Sequence, residues 1–313
     1  MARNQPSGEN AREKARRIQQ EQHRRQRGAS VLLRVGVVVV ALVVVAGLAF
    51  FVLNRPGDGE DFSASEGEAP AIANEQGGIT LTSAAELADG ADMGSVDASD
   101  VPGSGDSEAP VPGAEPREEG ETPHMILYVD ANCPHCANFE SSQGQQIKQW
   151  LEDGDITVEY RMLGMLDGNS TTNYSSRAAN AITAMAVESP EDYLAYLEQV
   201  VTHQPSGELS DDELIGIARD SFGVDISDAV ENNTYRAFVS YTTKQASEVG
   251  VQGTPTVYIG DQNWQDSEQA FGEWAGGIVE EYRSETGDGS GGDSGGDSGD
   301  GSGDGSGGDS SEE

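Results

Sequence analysis

The placement of sulfur is the feature that most constrains what this chain can fold into. Only two cysteines occur in 313 residues, and both lie in one tetrapeptide, Cys133-Pro134-His135-Cys136. No cysteine remains for a structural cross-link, so a stable fold has to come from an apolar core. The pair is therefore a reactive dithiol, half of a metal site or a coincidence.

The charge of the chain is large and unevenly distributed. The net charge is -37, yet the first 34 residues contain nine of the 18 Lys and Arg residues and only three acids. Everything that follows is strongly acidic. Because an acidic surface repels the phosphate backbone, we exclude DNA and RNA as partners.

One apolar run separates the basic part from the acidic part. Val35–Leu53 contains 19 residues without a charged side chain, which is long enough to cross a membrane as a helix. The arginines on its N-terminal side are Arg24, Arg25, Arg27 and Arg34. They predict a single-pass protein of the cell membrane, with a basic cytoplasmic arm at 1–34 and everything after Leu53 outside. A cleaved signal peptide is the alternative, although its apolar region is usually shorter.

Composition divides the rest of the chain into three segments. Residues 54–121 are rich in Pro, Gly, Ser and acids, and predict a disordered stalk because they bury too little apolar surface to offset chain entropy. Residues 76–82 are an exception that could add a strand to the following domain. Residues 286–313 repeat Gly, Asp and Ser, and predict a flexible acidic tail. The folded domain then spans 122–285.

Hydrophobic patterns predict an α/β architecture for this domain. Strands are predicted at 125–129, 156–162 and 256–259. One helix begins at Cys133 or Pro134, a helical block fills 173–248, and a last helix carries Phe271 and Trp274. This order of elements is typical of a small mixed sheet with a helical insertion.

A Cys-x-x-Cys pair that opens a helix is biased toward redox chemistry. The free N–H groups of the helix N-terminus stabilise a thiolate at Cys133, and His135 can add to that effect. A zinc site requires four ligands, and the domain offers only His124, His135 and His203 beside the two cysteines. The apolar strand separates His124 from the dithiol, so we predict no metal site.

A second motif lies far downstream. Gly253-Thr254-Pro255-Thr256 stands immediately before a predicted strand, where a cis X-Pro bond is a deliberate feature. The dithiol, the turn Asp130–Cys136, the following Phe139-Glu140 and this motif together resemble the thioredoxin superfamily. Within it, the chain is similar to the DsbA-like thiol–disulfide oxidoreductases in the membrane-anchored form of high-GC Gram-positive bacteria. The resemblance covers about half of the chain and implies a thioredoxin-like fold with a helical insertion.

The resemblance also implies roles for individual residues in the dithiol motif. Cys133 would be the exposed nucleophile, and Cys136 the buried resolving cysteine. His135 would tune the thiolate, and Pro134 would open the helix.

Further roles fall outside the tetrapeptide. Pro255 would be the cis proline that faces the dithiol, and Thr254 would pair its backbone with a substrate segment. Related oxidoreductases often carry a buried acid on the strand before the motif. Here that strand is apolar, and Asp130 is the nearest acid, so it either relays protons or forms the turn. Met162, Met165 and Tyr174 could line a substrate groove. The alternative is that they pack in the core or in a loop.

The implied activity is the oxidation of protein thiols outside the cytoplasm. Reduced secreted or envelope proteins would be the substrates, no cofactor would be required, and a membrane quinone-linked enzyme of the DsbB or vitamin K epoxide reductase type would reoxidise the dithiol. Two alternatives stay open. The chain could be a tethered disulfide reductase or isomerase, which a redox potential would separate from an oxidase. It could also be an envelope binding or chaperone module with a vestigial dithiol.

Overall fold

A computed structural model describes residues 65–103 and 110–287 of the chain. The predicted basic arm, the apolar run Val35–Leu53 and the acidic tail after residue 287 lie outside these residues. Within the described ranges, no helix combines the length and the apolar character that crossing a membrane requires.

The strands form one mixed sheet and a small separate ribbon. They are β1 (Glu66–Glu68), β2 (Ile79–Ser83), β3 (Glu86–Leu87), β4 (Ser95–Asp97), β5 (His124–Val129), β6 (Thr157–Met162), β7 (Thr256–Ile259) and β8 (Gln262–Asn263). The six-stranded sheet has the order β3-β2-β6-β5-β7-β8, while β1 pairs with β4. β5 and β6 are parallel, and the neighbouring pairs on both sides are antiparallel. The crossover between β5 and β6 is the helix that follows the dithiol.

Seven α-helices surround the sheet in the described part of the chain. They are α1 (Pro134–Glu152), α2 (Tyr174–Glu188), α3 (Tyr193–Thr202), α4 (Asp211–Ile217), α5 (Ser227–Glu231), α6 (Arg236–Glu248) and α7 (Phe271–Thr286). The elements α2 to α6 lie between β6 and β7, as the predicted helical insertion requires. The helix α7 extends one residue beyond the predicted end of the domain.

The central strand β5 is buried on both faces. Met125, Leu127 and Val129 lie in the main core, whereas Ile126 and Tyr128 lie in a second cluster on the opposite face. Successive residues of a strand point to opposite faces, so a strand covered on both sides must be apolar throughout. This is why β5 appears in the sequence as an unbroken apolar run.

The prediction of a disordered stalk is wrong for the described residues before 122. β2 joins the sheet by pairing antiparallel with β6, in a register that places Leu81 opposite Val158. This strand overlaps the exception predicted at 76–82. The ribbon of β1 and β4 packs on α6, and a Cβ at Gly67 would come within 2.7 Å of Ala237.

The residues before 122 need few apolar side chains of their own, because those they have pack against apolar side chains of the following domain. Ala73 and Leu81 are fully buried, although the surrounding composition is polar. Pro112 and Gly113 cover Arg161 of β6: the Arg161 guanidinium donates a 2.7 Å hydrogen bond to the Pro112 carbonyl, and a Cβ at Gly113 would lie 3.1 Å from that guanidinium. Composition indicates whether a segment can fold in isolation. This segment folds against the rest of the domain, so its polar composition does not prevent it from being ordered.

Candidate active site

The turn between β5 and α1 is held by the side chain of Asp130. Its Oδ1 accepts a hydrogen bond from the Asn132 N–H at 2.8 Å, and its Oδ2 accepts one from the Leu166 N–H at 2.9 Å. The Cys133 N–H donates to the Asp130 carbonyl at 3.0 Å. One buried carboxylate thereby ties the dithiol turn to the loop after β6.

Cys133 caps the N-terminus of α1. Its backbone is extended (φ -88°, ψ 117°), and Pro134 occupies the first helical position, where its missing N–H is not needed. The N–H groups of His135 and Cys136 belong to the first helical turn and have no partner within the helix. They are therefore available to the Cys133 sulfur.

Both cysteines are reduced and buried. Cys133 is 5% exposed and Cys136 is 1% exposed. The expectation that Cys133 is exposed is wrong, and the reason is a contact from a distant part of the chain. The Cys133 Sγ lies 3.2 Å from the Thr254 carbonyl oxygen, so the Thr254–Pro255 loop covers the sulfur.

The surroundings of Cys133 favour its thiolate. Its pKa is lowered to about 5, chiefly by a hydrogen bond from the Cys136 thiol. The Thr254 hydroxyl and the backbone N–H groups of Cys136 and His135 act in the same direction, while burial opposes them. The first thiol is therefore ionised at neutral pH.

Cys136 behaves in the opposite way. Burial raises the pKa of Cys136. The neighbouring Cys133 raises it further, because its sulfur accepts a hydrogen bond from the Cys136 thiol and because its thiolate charge repels a second negative charge. The second cysteine thus keeps its proton and donates it toward the first. Environments that separate two pKa values in this manner assign one group as nucleophile and the other as proton-bearing partner.

The dithiol and the downstream motif meet in space, although 121 residues separate them in the chain. The Thr254–Pro255 peptide bond is cis. His135 also lies here, with an exposed side chain on the wall of an adjoining groove. Its observed contribution to Cys133 comes through its backbone N–H, and a tuning role for its imidazole stays a prediction.

A groove of about 600 Å³ opens beside the dithiol. Its apolar floor is a triad of rings, in which Phe139 lies 5.8 Å from Trp264 and 4.9 Å from Phe271 between centroids. Its rim is made of uncharged amides and hydroxyls.

The sequence did not predict this groove. Of the three residues considered for a substrate groove, Met162 and Tyr174 are buried in the core, as the alternative of core packing predicts, and Met165 is partly buried against the second cluster. The only sequence signal for this groove was Phe139, which lies three residues after Cys136, about one helical turn along α1.

Two buried acids, Asp130 and Glu140, lie near the dithiol helix, and the sequence predicted a role only for Asp130. Asp130 is fully buried, and burial raises its pKa to about 6 against hydrogen bonds from Ser175 and two backbone N–H groups. Its observed contacts form the turn. The other acid is Glu140, on α1 one turn after Cys136, where burial and then repulsion from Glu198 raise its pKa to about 8.

His124 lies at the opposite end of β5 from the dithiol. Its Nδ1 is 2.7 Å from the Thr157 hydroxyl and its Nε2 is 3.0 Å from the Glu159 carboxylate. Across residues 65–103 and 110–287, no group of three or more His, Cys, Asp or Glu side chains is arranged to hold a metal ion.

We expect the Cys133 thiol in the reduced protein to titrate with a midpoint near pH 5, because hydrogen bonds from Cys136, Thr254 and the helix N-terminus stabilise the thiolate. Thiolate absorbance followed from pH 3 to pH 9 measures this directly. Cys133→Ser is the control and should remove the transition. A midpoint near the ordinary value of about 8.5 would contradict the proposed stabilisation.

Comparison with known proteins gives one family match and several structural matches. A family model described as thioredoxin matches residues 119–275, which is half of the chain. No curated protein matches the sequence.

The solved structures that match have low sequence identity to this chain. MdbA, a thiol-disulfide oxidoreductase from Actinomyces oris, is 18% identical, with 72% of this chain and 99% of that chain covered and a TM-score of 0.49. MdbA from Corynebacterium diphtheriae is 19% identical, with 74% and 100% covered and a TM-score of 0.46. The disulfide bond oxidoreductase DsbG from Mycobacterium tuberculosis is 23% identical, with 56% and 88% covered and a TM-score of 0.46.

Proposed function

The chain belongs to the thioredoxin family, and from that premise we propose that it is a thiol–disulfide oxidoreductase that oxidises the thiols of other proteins. The observation that carries the proposal is the stabilised thiolate of Cys133 beside a protonated Cys136. A dithiol whose reduced form is stabilised gives up its disulfide readily to other thiols.

The reaction begins with the Cys133–Cys136 disulfide. A substrate thiolate attacks the Cys133 sulfur, the bond between the two cysteines breaks, and Cys136 leaves and takes up a proton. A second substrate thiolate then attacks the substrate sulfur of the mixed disulfide and expels Cys133 as a thiolate. Two electrons pass from the substrate dithiol to this protein, and the low pKa of the Cys133 thiol makes it a good leaving group.

Three other residues support these steps. Thr254 presents its carbonyl next to the reacting sulfur and would pair with the substrate backbone, while Pro255 closes the same side of the site. Asp130 is a candidate source of the proton for Cys136, because burial raises its pKa to about 6 and it lies directly before the dithiol turn. The groove next to the dithiol would hold the apolar side chains of the substrate.

The redox potential tests the direction of the reaction. We expect the full-length protein, equilibrated with glutathione buffers, to be more oxidising than thioredoxin, whose potential is about -270 mV. A value at or below that of thioredoxin would favour the reductase alternative. If Cys133→Ser leaves all activity in place, the protein is instead a binding or chaperone module.

We also propose where the reaction takes place. The apolar run Val35–Leu53 would anchor the protein in the cell membrane, and the arginines before it would keep residues 1–34 in the cytoplasm. The dithiol domain would then face reduced secreted proteins. A membrane quinone-linked enzyme of the DsbB or vitamin K epoxide reductase type would accept the two electrons. Protease added to intact cells should cleave the domain if this orientation is correct.

A further inference from the structure

Gln265 makes an unusual pair of hydrogen bonds next to the dithiol. It lies in the short 3-10 turn that follows β8. Its side-chain Nε2 donates to the Pro255 carbonyl at 2.9 Å, and its Oε1 accepts from the Val257 N–H at 3.1 Å. One carboxamide therefore makes the same donor and acceptor pair that a neighbouring strand would make.

The sheet leaves this edge of β7 without a strand partner. β8 is only two residues long, and it pairs with Tyr258 and Ile259 at the far end of β7. Pro255 and Val257, at the near end, extend past β8. Gln265 continues the pairing where the strand stops, and so holds the segment that enters β7.

The segment that Gln265 holds is the one that contacts the reacting sulfur. Thr254 is bonded directly to Pro255, and its carbonyl oxygen lies 3.2 Å from the Cys133 Sγ. The Thr254 hydroxyl also lowers the pKa of the Cys133 thiol. The Cys133 thiol donates the bond to the Thr254 carbonyl, which only the protonated sulfur can do, whereas the Thr254 hydroxyl donates to the thiolate. Both bonds weaken when their partners move apart or tilt, and loss of the hydroxyl bond raises the pKa of Cys133, so the position of Thr254 matters to its ionisation.

Gln265 is itself anchored to the helices around the site. Its backbone N–H donates to the Asn263 Oδ1 at 3.0 Å. The adjacent Trp264 packs on Phe139 of α1 and on Phe271 of α7, with ring centroids 5.8 and 5.4 Å apart. The carboxamide therefore connects the loop at Pro255 to the helix that carries the dithiol.

We propose that Gln265 is a positioning residue for Cys133, acting through the loop that carries Thr254. The proposal rests on the proposed function of the dithiol, although the ionisation of Cys133 can be measured without any turnover. Gln265 is exposed to solvent, so shortening its side chain leaves no cavity in the core, and the variant should fold.

The test compares three variants of the full-length protein. Gln265→Ala removes both hydrogen bonds, and Gln265→Met removes them while keeping the length of the side chain. Gln262→Ala is the matched control, because Gln262 is an exposed glutamine on the neighbouring β8 that does not line the groove. Each variant is examined by thiolate absorbance against pH, by kcat and KM for oxidation of a reduced dithiol peptide, and by its unfolding midpoint.

We expect both Gln265 variants to raise the titration midpoint of Cys133 by about 0.4 to 1 pH unit, as loss of typical hydrogen bonds would. We also expect kcat to fall about threefold to tenfold with little change in KM. Gln262→Ala should match the wild type in both quantities.

Two results would overturn the proposal. One is a Cys133 titration that is the same in Gln265→Ala and Gln262→Ala, or that Gln265→Met restores. The other is a raised KM with an unchanged titration, which would make Gln265 a substrate contact instead. If the wild type shows no disulfide exchange at all, the proposed function fails, and the titrations still decide whether Gln265 positions Cys133.

Discussion

Cys136→Ser is expected to accumulate mixed disulfides between Cys133 and other proteins, whereas Cys133→Ser is expected to form none and to lose exchange activity to the background level. Cys133 is the thiol whose pKa is lowered, to about 5, and Cys136 is 1% exposed and holds its proton. The serine hydroxyl at 136 can still donate to the Cys133 sulfur, so the trapping variant keeps a reactive thiolate. The Cys133 thiolate forms the adduct by attacking a partner's disulfide and expelling one partner sulfur as a thiolate. The variant lacks the Cys136 thiol, which in the wild type would attack the adduct, restore the Cys133–Cys136 disulfide and release the partner.

Non-reducing gels of membrane fractions, probed for this protein, would show the adducts as bands that disappear with reductant. The double variant Cys133→Ser/Cys136→Ser is the control for association that does not involve sulfur. If the two single variants trap partners equally, the assignment of nucleophile and resolving cysteine is wrong. If neither traps any, the dithiol does not exchange with protein thiols.

Glu140→Gln is expected to destabilise the folded protein near pH 5 and to stabilise it at pH 8. In the wild type, burial and then repulsion from Glu198 raise the pKa of Glu140 to about 8 from its ordinary value of 4.5. The folded protein therefore holds a proton that the unfolded chain releases over this interval, and stability falls as pH rises. The loss through this single group amounts to about 4 kcal/mol by pH 8.

Glutamine has no charge to release, so the variant should escape this loss. Neither oxygen of Glu140 makes a hydrogen bond of normal length within the described part of the chain, and an amide in the same place leaves its donors unpaired at a cost of about 1–3 kcal/mol. We therefore expect Glu140→Gln to be somewhat less stable than the wild type near pH 5 and more stable at pH 8.

Urea unfolding of the oxidised protein at several pH values measures this difference without titration of the cysteines. Glu152→Gln is a matched control on the same helix, because the Glu152 side chain is 55% exposed. The burial of Asp130 also contributes to the pH dependence, but equally in all variants. Parallel stability curves for the wild type and Glu140→Gln would contradict a buried acid with a raised pKa.

The limits of sequence reasoning are visible in the acids around α1. Asp130 was assigned a role because it directly precedes the dithiol turn, where its carboxylate accepts two backbone N–H groups. Glu140 was named only as part of the family motif and was given no role, because nothing in the local pattern distinguishes it from a solvated helix residue. Its burial depends on α3, which brings Glu198 close enough to raise the pKa of Glu140.

The segment before residue 122 shows the same limit in the fold. Its composition indicated disorder except for a possible strand at 76–82, where β2 does lie beside β6, and the strands β1, β3 and β4 lie in residues that were predicted to be disordered. The sheet edge that accepts β2 exists only after β5 and β6 have paired. Composition predicts whether the segment can fold alone in water, whereas its stability comes from pairing with β6, which belongs to the rest of the domain.

Sequence by itself determined the features that depend on neighbouring residues. The apolar run of β5, the start of α1 at Pro134 and the thiolate chemistry of Cys133 all follow from strand periodicity and from the free N–H groups of a helix N-terminus. Tertiary structure alone decided how Cys133 is covered by Thr254 and how Gln265 holds that loop. Those contacts join positions that are far apart in the chain, and their geometry is set by packing of the whole domain, which no local pattern encodes.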